Sequence, residues 1–498
     1  MHKIYPWLIL INASLCVICL GGKRRAFGIF IAKLHSEFNN ITLTELNWIG
    51  DSYSALGYLT TTLTTTFILF INRKYGLTQF IGSIFILLAC ITSSFVPNPH
   101  WLFLTHTIFH GIGSSFILST CGLIINEYFD KNHHYHILAT TLVSGGSVAS
   151  ILFVEFYALL IDQYGWRLAF IILGIIYFII LFISSLIFRK DITKSNSYHH
   201  DPNHDPNHDR DHHHHHHQSM NPWNLCQLSW QHKLLLLLWI IDRIITSIVT
   251  YGMLLNLTDY VYQHETLLTN SILFTNLFAS GESTTYIIGT ILTGLTKNFL
   301  KNRLKYILII SSIGMSFNLI LWEYYTYHHL ISSILSYLCG FCLGPSITFL
   351  YPISEEMTLL PGYIAYPLSL SGMGIGMLLS PILSALIAQT FKYRWFFLIQ
   401  GIIVIIKCIC LLLSWKLLNN LMKLINKQQM IIIINKNDNE EEKREQQREE
   451  KKEKQKEEGH EDDDDDSDDD DDHSFKSHSE THCLINPMTQ KQPHSKRI

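Results

Sequence analysis

The sequence predicts an all-α membrane protein with about twelve transmembrane helices arranged in two halves of six. Three observations lead to this fold class. Of the 498 residues, 48% are hydrophobic and only 16% are charged. The apolar runs are too long for helices that keep one polar face in water. A polar stretch from Arg189 to His232 divides these runs into two sets.

Each predicted span has the length that a bilayer demands. A hydrocarbon core of about 30 Å is crossed by about 20 apolar helical residues, because a helix satisfies its own backbone groups. The first half has predicted spans at Pro6–Phe30, Trp48–Ile71, Leu77–Val96, Trp101–Asn126, His136–Ile161 and Arg167–Phe188. The second half has predicted spans at Lys233–Leu257, Ser271–Thr296, Leu304–Trp322, Leu330–Tyr351, Ile364–Phe391 and Trp395–Leu418. Two such sets joined by a polar loop are typical of major facilitator transporters, whose substrate path lies between the halves.

These spans define four regions. Residues 1–189 and 233–420 are predicted to be six-helix bundles. Residues 190–232 form a His-rich linker with six consecutive histidines from His212, and we expect a disordered, repeat-expanded segment that binds divalent metals weakly. Residues 421–498 form a tail rich in Glu and Lys and then in Asp, which cannot bury a core and is predicted to be disordered or transiently helical.

The distribution of Lys and Arg predicts the orientation. With the N-terminus inside, most basic residues of the short loops are cytosolic, among them Arg73, Lys131, Arg189 and Lys301. Both termini and the linker should therefore face the cytosol, and we expect a multi-pass protein of the plasma membrane. The first apolar segment lacks a cleavage site of small residues, so we expect no cleaved signal peptide.

The segment Gly111–Gly174 carries three short motifs in a distinctive order. They are Tyr128-Phe129-Asp130-Lys131 followed by Leu138-Ala139, then Ser144-Gly145-Gly146-Ser147, then Tyr164-Gly165-Trp166-Arg167. This order and spacing resemble the monocarboxylate transporter family, solute carrier family 16 of the major facilitator superfamily. Further matching positions are Trp48 in the second span, Gly289 and Gly294 in the eighth, and Gly372, Gly376 and Pro381 in the eleventh. Small residues at these positions are expected to let helices pack closely.

Two departures from the family pattern bear on activity. The first span opens with Tyr5-Pro6-Trp7-Leu8 and has no acidic residue there. Tyr286 and Thr290 occupy the positions at which many family members carry the Asp and Arg that couple a proton to an anion. These departures favour a facilitated carrier that does not depend on protons over proton-coupled lactate transport.

Ionisable residues inside a span are costly, so each is either paired or functional. Arg25 falls where the family has a cation that contacts substrate, and a guanidinium suits a carboxylate. Arg243 and Tyr286 are the other predicted substrate-binding residues, and Glu282 and Asp242 are candidates for proton coupling. Each could instead be structural, Arg25 as a snorkelling cation for example. Because neighbouring helical residues point about 100° apart, Asp242 and Arg243 are expected to pair elsewhere, Arg243 with Glu282 or Glu155.

We therefore expect a secondary-active or facilitative carrier of small organic anions or related solutes that works by alternating access. A divalent-metal transporter that uses the His-rich linker, and a membrane sensor or scaffold that signals through the tail, are the alternatives. No nucleophile and base pair favours an enzyme, and we expect no cofactor, no bound metal and no nucleic-acid partner. The expected partners are the lipid bilayer, a small-molecule substrate and a coupling proton. The resemblance to the family implies one further partner, a single-span accessory glycoprotein.

Overall fold

The computed structural model describes residues 4–38, 41, 43–147, 152–190, 228–265, 268–296, 299–325, 328–391 and 395–458. These residues form helices joined by short turns, and no strand occurs among them. All-helical structure is what a chain of long apolar segments needs in lipid, because each helix pairs its own backbone donors and acceptors.

In the first half, the described residues form seven helices with short 3₁₀ and π-helical insertions. They are α1 (Tyr5–Glu37), α2 (Leu43–Leu59), α3 (Thr61–Phe70), α4 (Tyr75–Ser94), α5 (Phe109–Tyr128), α6 (His136–Ser144) and α7 (Leu152–Ile187). A 3₁₀ turn at Pro99–Trp101 and a π-helical segment at Phe103–Ile108 precede α5, and a 3₁₀ turn at Gly145–Ser147 follows α6.

The second half also consists of seven described helices. They are α8 (Trp230–Glu265), α9 (Leu268–Thr296), α10 (Leu304–Tyr325), α11 (His329–Thr348), α12 (Leu350–Thr358), α13 (Gly362–Phe391) and α14 (Phe396–Glu458). Contacts hold Met1–Leu424 together as one compact unit, and Ile425–Ile498 is a separate unit.

Nine helices of the described part are long and apolar enough to cross a membrane. Three predicted spans are not among these nine helices, and each has a structural feature that makes its helix too short or too polar. Trp48–Ile71 is divided into α2 and α3 at Thr60, and His136–Ile161 is divided after α6. Ser271–Thr296 lies in α9, which carries Glu282 and many hydroxyl residues. Twelve spans therefore stays a prediction.

The turn inside α7 depends on one glycine. Gly165 has φ 72° and ψ 162°, and this residue separates two helical stretches that together form α7. Side chains with a Cβ avoid this backbone region, so glycine is the residue that allows the chain to reverse here. The Tyr164-Gly165-Trp166-Arg167 motif thus marks the end of the fifth predicted span and the start of the sixth.

The first part of the tail is helical in the structure, which is the second of the two states expected for it. The helix α14 continues to Glu458. Glu, Lys and Gln are strong helix formers, and Glu and Lys three or four positions apart stabilise a helix without a core. Residues 459–498 and the linker residues 191–227 lie outside the described part.

Candidate functional site

Arg24 on α1 is a charged residue that lies where the two halves meet. Its Nη1 donates a hydrogen bond of 2.6 Å to the hydroxyl of Tyr58 on α2. The guanidinium carbon lies 5.6 Å from the ring centroids of both Tyr58 and Tyr251. Tyr251 belongs to α8, so aromatic rings from both halves flank this cation, an arrangement that stabilises a guanidinium.

Two adjoining cavities meet at Arg24. One lies within the first half and is bounded by residues that include Tyr53, Ser54 and His110. The other lies between the halves and is bounded by residues that include Thr250 and Tyr251. Arg24 and Tyr58 line both cavities, so a molecule in either one can reach the guanidinium.

Carboxylates from both halves share the field of Arg24. Asp51 on α2 interacts with it electrostatically, and so does Glu282 on α9, which is fully buried. Oδ2 of Asp51 is buried and has no hydrogen-bond partner among the described residues. Arg24 thus lies in the electrostatic field of two carboxylates, one from each half, and its guanidinium has more donors than the one that binds Tyr58.

The sequence singled out Arg25, and the structure brings its neighbour to the cavity. Arg25 lies in α1, but its side chain is outside the described part of the structure. The predicted role of Arg25 remains a prediction.

Asp242 and Arg243 pair with each other, which corrects the expectation that neighbours cannot. Nε of Arg243 donates to Oδ2 of Asp242 at 2.8 Å, and Nη2 donates to the same oxygen. The long Arg side chain bends back along α8, stacks on Trp239 at 4.2 Å and donates to the Ser346 carbonyl at 3.2 Å. Both residues are fully buried, and neither borders the two cavities at Arg24.

Tyr286 lies one turn after Glu282 and crosses between the halves. Its ring packs on Gly145, where a Cβ would lie too close to the ring carbons. Its hydroxyl donates to the Leu142 carbonyl at 3.3 Å. Tyr286 is therefore placed as a contact between the halves, and it is not among the residues that line the cavities at Arg24.

Further contacts join the halves at the predicted cytosolic end. His136 Nε2 lies 2.6 Å from Oε2 of Glu355, and its Nδ1 lies 2.7 Å from the Phe129 carbonyl. Both partners are acceptors, so both ring nitrogens must donate, which makes His136 a cation here. The Ser144 hydroxyl donates to the Thr348 carbonyl at 2.7 Å.

Two of the sequence motifs hold loops to helices. Nη1 of Arg167 donates to the carbonyls of Ser94 and Val96 at 3.0 and 2.9 Å, and Nε1 of Trp166 donates to Glu37 at 2.6 Å. In the first motif, the hydroxyl of Tyr128 donates to the Arg189 carbonyl at 3.0 Å. These contacts fit the structural role predicted for the motifs.

The other matching positions lie at helix contacts. Phe129 is fully buried, and the Lys131 carbonyl accepts from Lys301 across the halves at 3.2 Å. Trp48 is partly buried. Each of the remaining glycines contacts a residue of another helix, and the remaining proline lies inside a helix. They are Gly146 against α1, Gly289 against Phe349, Gly294 near Leu138, Gly372 and Gly376 against α8, and Pro381 inside α13.

No group of three His, Cys, Asp or Glu residues that could hold a metal occurs among the residues the structure describes. His106 and His110 are four residues apart, a spacing that predicts one helix face, and their ring centroids lie 5.1 Å apart. The linker histidines lie outside the described residues, so the metal alternative rests on the sequence there.

Sequence reasoning passed over Asp51, Tyr58 and Tyr251. The position of Asp51 could have indicated a functional role, because an acidic residue within the predicted span Trp48–Ile71 is a functional candidate by default. The two tyrosines carried no such signal, since aromatic residues are frequent throughout the spans.

Comparison with known proteins supports this architecture. The proton:xylose symporter XylE of the major facilitator superfamily, solved with 6-bromo-6-deoxy-D-glucose, is similar with a TM-score of 0.59 over 84% of this chain and 96% of that one, at 14% identity. The protein is thus a multi-pass integral membrane protein with the major facilitator fold.

The family follows from the sequence match. The model of the Major Facilitator Superfamily matches residues 13–358, and the chain belongs to this family. Monocarboxylate transporter 12 of Xenopus laevis is 23% identical over 179 residues, which are 35% of this chain and 38% of that protein. Monocarboxylate transporter 14 of Homo sapiens is 28% identical over 174 residues, which are 34% and 32%. The chain thus spans about a third of the length of these curated relatives.

Proposed function

We propose that the protein carries small organic anions of the monocarboxylate kind across a membrane by alternating access. The observation that supports this proposal is Arg24, a cation at the junction of two cavities with tyrosines from both halves around it. A guanidinium donates two parallel hydrogen bonds to a carboxylate, which is the recognition that such a substrate needs.

The arrangement of charge also favours an anion as the substrate. The guanidinium of Arg24 donates one hydrogen bond to Tyr58, and the charges of Asp51 and Glu282 act on it electrostatically. The negative charge of an incoming carboxylate can offset the charge of Arg24, and its oxygens can accept hydrogen bonds from the guanidinium. In the low dielectric of a closed cavity such charge-assisted hydrogen bonds are stronger than in water.

Alternating access fits the position of the contacts between the halves. The His136–Glu355 pair and the Ser144–Thr348 hydrogen bond join the halves at the predicted cytosolic end. In carriers of this fold, the two halves rock around a site near the middle of the membrane. We infer that breaking these contacts opens the path from Arg24 to the cytosol, with both termini on that side of the plasma membrane.

Uptake by purified protein in proteoliposomes tests the proposal. Labelled L-lactate, pyruvate, an aromatic amino acid and a divalent metal would be offered with and without a pH gradient. We expect saturable uptake of at least one carboxylate that is lost in Arg24→Gln protein. Transport of the metal alone, or none of any carboxylate by well-folded protein, would refute it.

Two alternatives keep their own tests. Deleting residues 199–217 should leave carboxylate uptake unchanged, whereas a metal transporter that depends on the His-rich linker would lose uptake. Truncation at Lys436 should leave flux intact, whereas a scaffold that signals through the tail would lose its activity. An accessory glycoprotein would appear as failure of the protein alone to reach the cell surface, with recovery on co-expression.

A further inference from the structure

A further cavity lies inside the second half, apart from Arg24. Helices α8, α10, α11 and α14 border it. Its polar lining consists of three hydroxyls, one thiol and one ammonium, which belong to Thr246, Ser312, Ser346, Cys342 and Lys407. None of its lining residues borders the two cavities at Arg24. The second half therefore has a polar space of its own.

Lys407 brings a buried positive charge to this cavity. The residue is 4% exposed, and the structure describes one hydrogen bond from its Nζ, to the Ser346 hydroxyl at 3.4 Å. Hydrogen bonds from an ammonium are usually shorter than this, so the contact is a weak one. An ammonium has three donors. Most of the donor capacity of Lys407 is therefore not used by the described residues.

The carboxylate near Lys407 is bound to another cation. Asp242 attracts Lys407 electrostatically, and Arg243 repels it. Oδ2 of Asp242 accepts twice from Arg243, and its Oδ1 has no hydrogen-bond partner among the described residues, so Lys407 does not donate to this carboxylate. When ionised, the three side chains together carry one excess positive charge. Such an excess is costly inside a membrane span, and an anion beside Lys407 would remove it.

The donors at this cavity suit a small spherical anion. An ammonium is a compact point charge, whereas the guanidinium of Arg24 has the planar fork that matches a carboxylate. The hydroxyls of Thr246 and Ser312 donate to carbonyls of their own helices, each at 2.8 Å. The Ser346 hydroxyl accepts from Lys407, so its own hydrogen can point to the anion beside the ammonium.

We propose that the cavity at Lys407 binds a small monovalent inorganic anion such as chloride. The proposal does not depend on which substrate binds at Arg24. All four helices that border the cavity belong to the second half, so rocking of the halves leaves the site intact. The anion is therefore a resident part of this half and is not cargo.

The position of the cavity gives the anion a structural effect on the transport site. On α8, Thr246 and Val249 line this cavity, while Thr250 and Tyr251 line the one between the halves. An anion that ties α14 to α11 through Lys407 and Ser346 would also fix the packing of α8. The anion would thus support the helix that presents Tyr251 to Arg24.

Thermal unfolding of the purified full chain in detergent tests the proposal. Protein in sodium methanesulfonate would be titrated with sodium chloride at constant ionic strength. The melting temperature should rise by a few degrees and then saturate, because a ligand that binds the folded state stabilises it. Lys407→Met keeps an apolar stem without the charge and should lose the rise.

Lys305→Met is the matched control. Lys305 is also a buried lysine of the second half, 9% exposed and 3.6 Å from Glu356, but it does not line the cavity. This variant should keep the rise with chloride. No rise in wild-type protein, or an equal rise in wild-type and Lys407→Met protein, would overturn the proposal.

A second measurement uses the wild-type protein alone, so it does not require the variants to fold. Crystals grown in sodium bromide should show an anomalous-scattering peak within hydrogen-bond reach of Nζ of Lys407. Bromide found only at the protein surface or only at Arg24 would refute the site. Uptake of radioactive chloride by wild-type proteoliposomes would refute the resident role of the anion. Each of these results leaves the proposed carboxylate transport to be judged by its own assay.

Discussion

The two halves of the molecule each place an arginine near an aspartate among the helices, but the two pairs are built differently. In the second half, the buried Arg243 donates twice to Oδ2 of Asp242 and is covered by Trp239. In the first half, the partly buried Arg24 donates to the Tyr58 hydroxyl and lies against the Tyr251 ring. In both pairs one aspartate oxygen, Oδ1 of Asp242 and Oδ2 of Asp51, has no hydrogen-bond partner among the residues described.

The difference suggests a way to tell a structural charge from a functional one, namely whether the charge is hydrogen-bonded directly to its counter-charge. A charge pair joined by direct hydrogen bonds is a fixed part of a core, because separating it would leave an unpaired charge in a medium of low dielectric. A charge balanced only through space can accept a ligand without that loss. The second half therefore keeps its arginine as structure, and we infer that the first half keeps its arginine for a substrate.

The largest expected effect comes from breaking the closed pair. Asp242→Asn removes the partner of Arg243 and the opposite charge that faces Lys407. Removing one member of a buried ion pair costs about 3–5 kcal/mol, so the protein should lose much of its thermal stability in detergent. Asp242→Leu combined with Arg243→Met should recover most of it. A melting temperature unchanged by Asp242→Asn would contradict this view of the pair.

The next effect concerns transport and separates the neighbouring arginines. Arg24→Gln should lower uptake at limiting substrate by about 100-fold, since truncating one partner of a buried charge pair costs about 2–5 kcal/mol. Arg25→Ala serves as its comparator and should keep most of the uptake. If Arg25→Ala abolishes uptake and Arg24→Gln does not, the sequence prediction stands and the structural site is wrong. Surface labelling would check that both proteins reach the membrane.

A smaller effect is expected at the glycines between the halves. A Cβ at Gly145 would collide with the Tyr286 ring, whereas a Cβ at Gly146 would meet its neighbours at an ordinary 3.4 Å. Gly145→Ala should therefore disfavour closure of the halves by about 1–3 kcal/mol, the usual cost of overpacking. Uptake should fall several-fold in Gly145→Ala and little in Gly146→Ala. Equal rates in the two variants would show that the ring moves aside freely.

The smallest effect is expected at the predicted cytosolic end. Glu355→Gln removes the charge opposite His136, while Glu356→Gln removes a partner of Lys305 that lies 3.6 Å away within the second half. Because glutamine keeps an acceptor for His136, only the charge-assisted part of this hydrogen bond is lost, and Glu355→Gln should raise cytosolic labelling of a cysteine placed at Thr250, which lines the cavity between the halves, about twofold to threefold. The matched Glu356→Gln should leave labelling unchanged. The same increase in both would assign it to general loosening.

The sequence predicted the helices well because apolar length is a strong and local signal. The ranges Leu77–Val96, Leu304–Trp322 and Leu330–Tyr351 agree with α4, α10 and α11 to within a few residues. The breaks at Thr60 and Gly145 were not predicted, since they depend on neighbouring helices and not on hydrophobicity. For the tail up to Glu458 the sequence left disorder and helix open, because composition reports the lack of a core and says little about local helix preference.

The site was harder to predict because sequence gives no rotation for a helix that is apolar on every side. Without a polar face to orient α1, nothing in the triplet Lys23-Arg24-Arg25 shows which cation meets the cavity. The pairing of Asp242 with Arg243 was excluded by considering Cβ directions alone, whereas a long side chain can return to its neighbour. That expectation treated the arginine side chain as short.

The π-helical segment Phe103–Ile108 gives the fourth span a property that its neighbours lack. Such a segment usually represents one residue inserted into an α-helix. Deleting one residue there would restore ordinary helical winding and leave both flanks facing as before. The same deletion within α5 would turn every earlier side chain by about 100° relative to those that follow. The span can therefore shorten at this one place and still present the same residues to its surroundings.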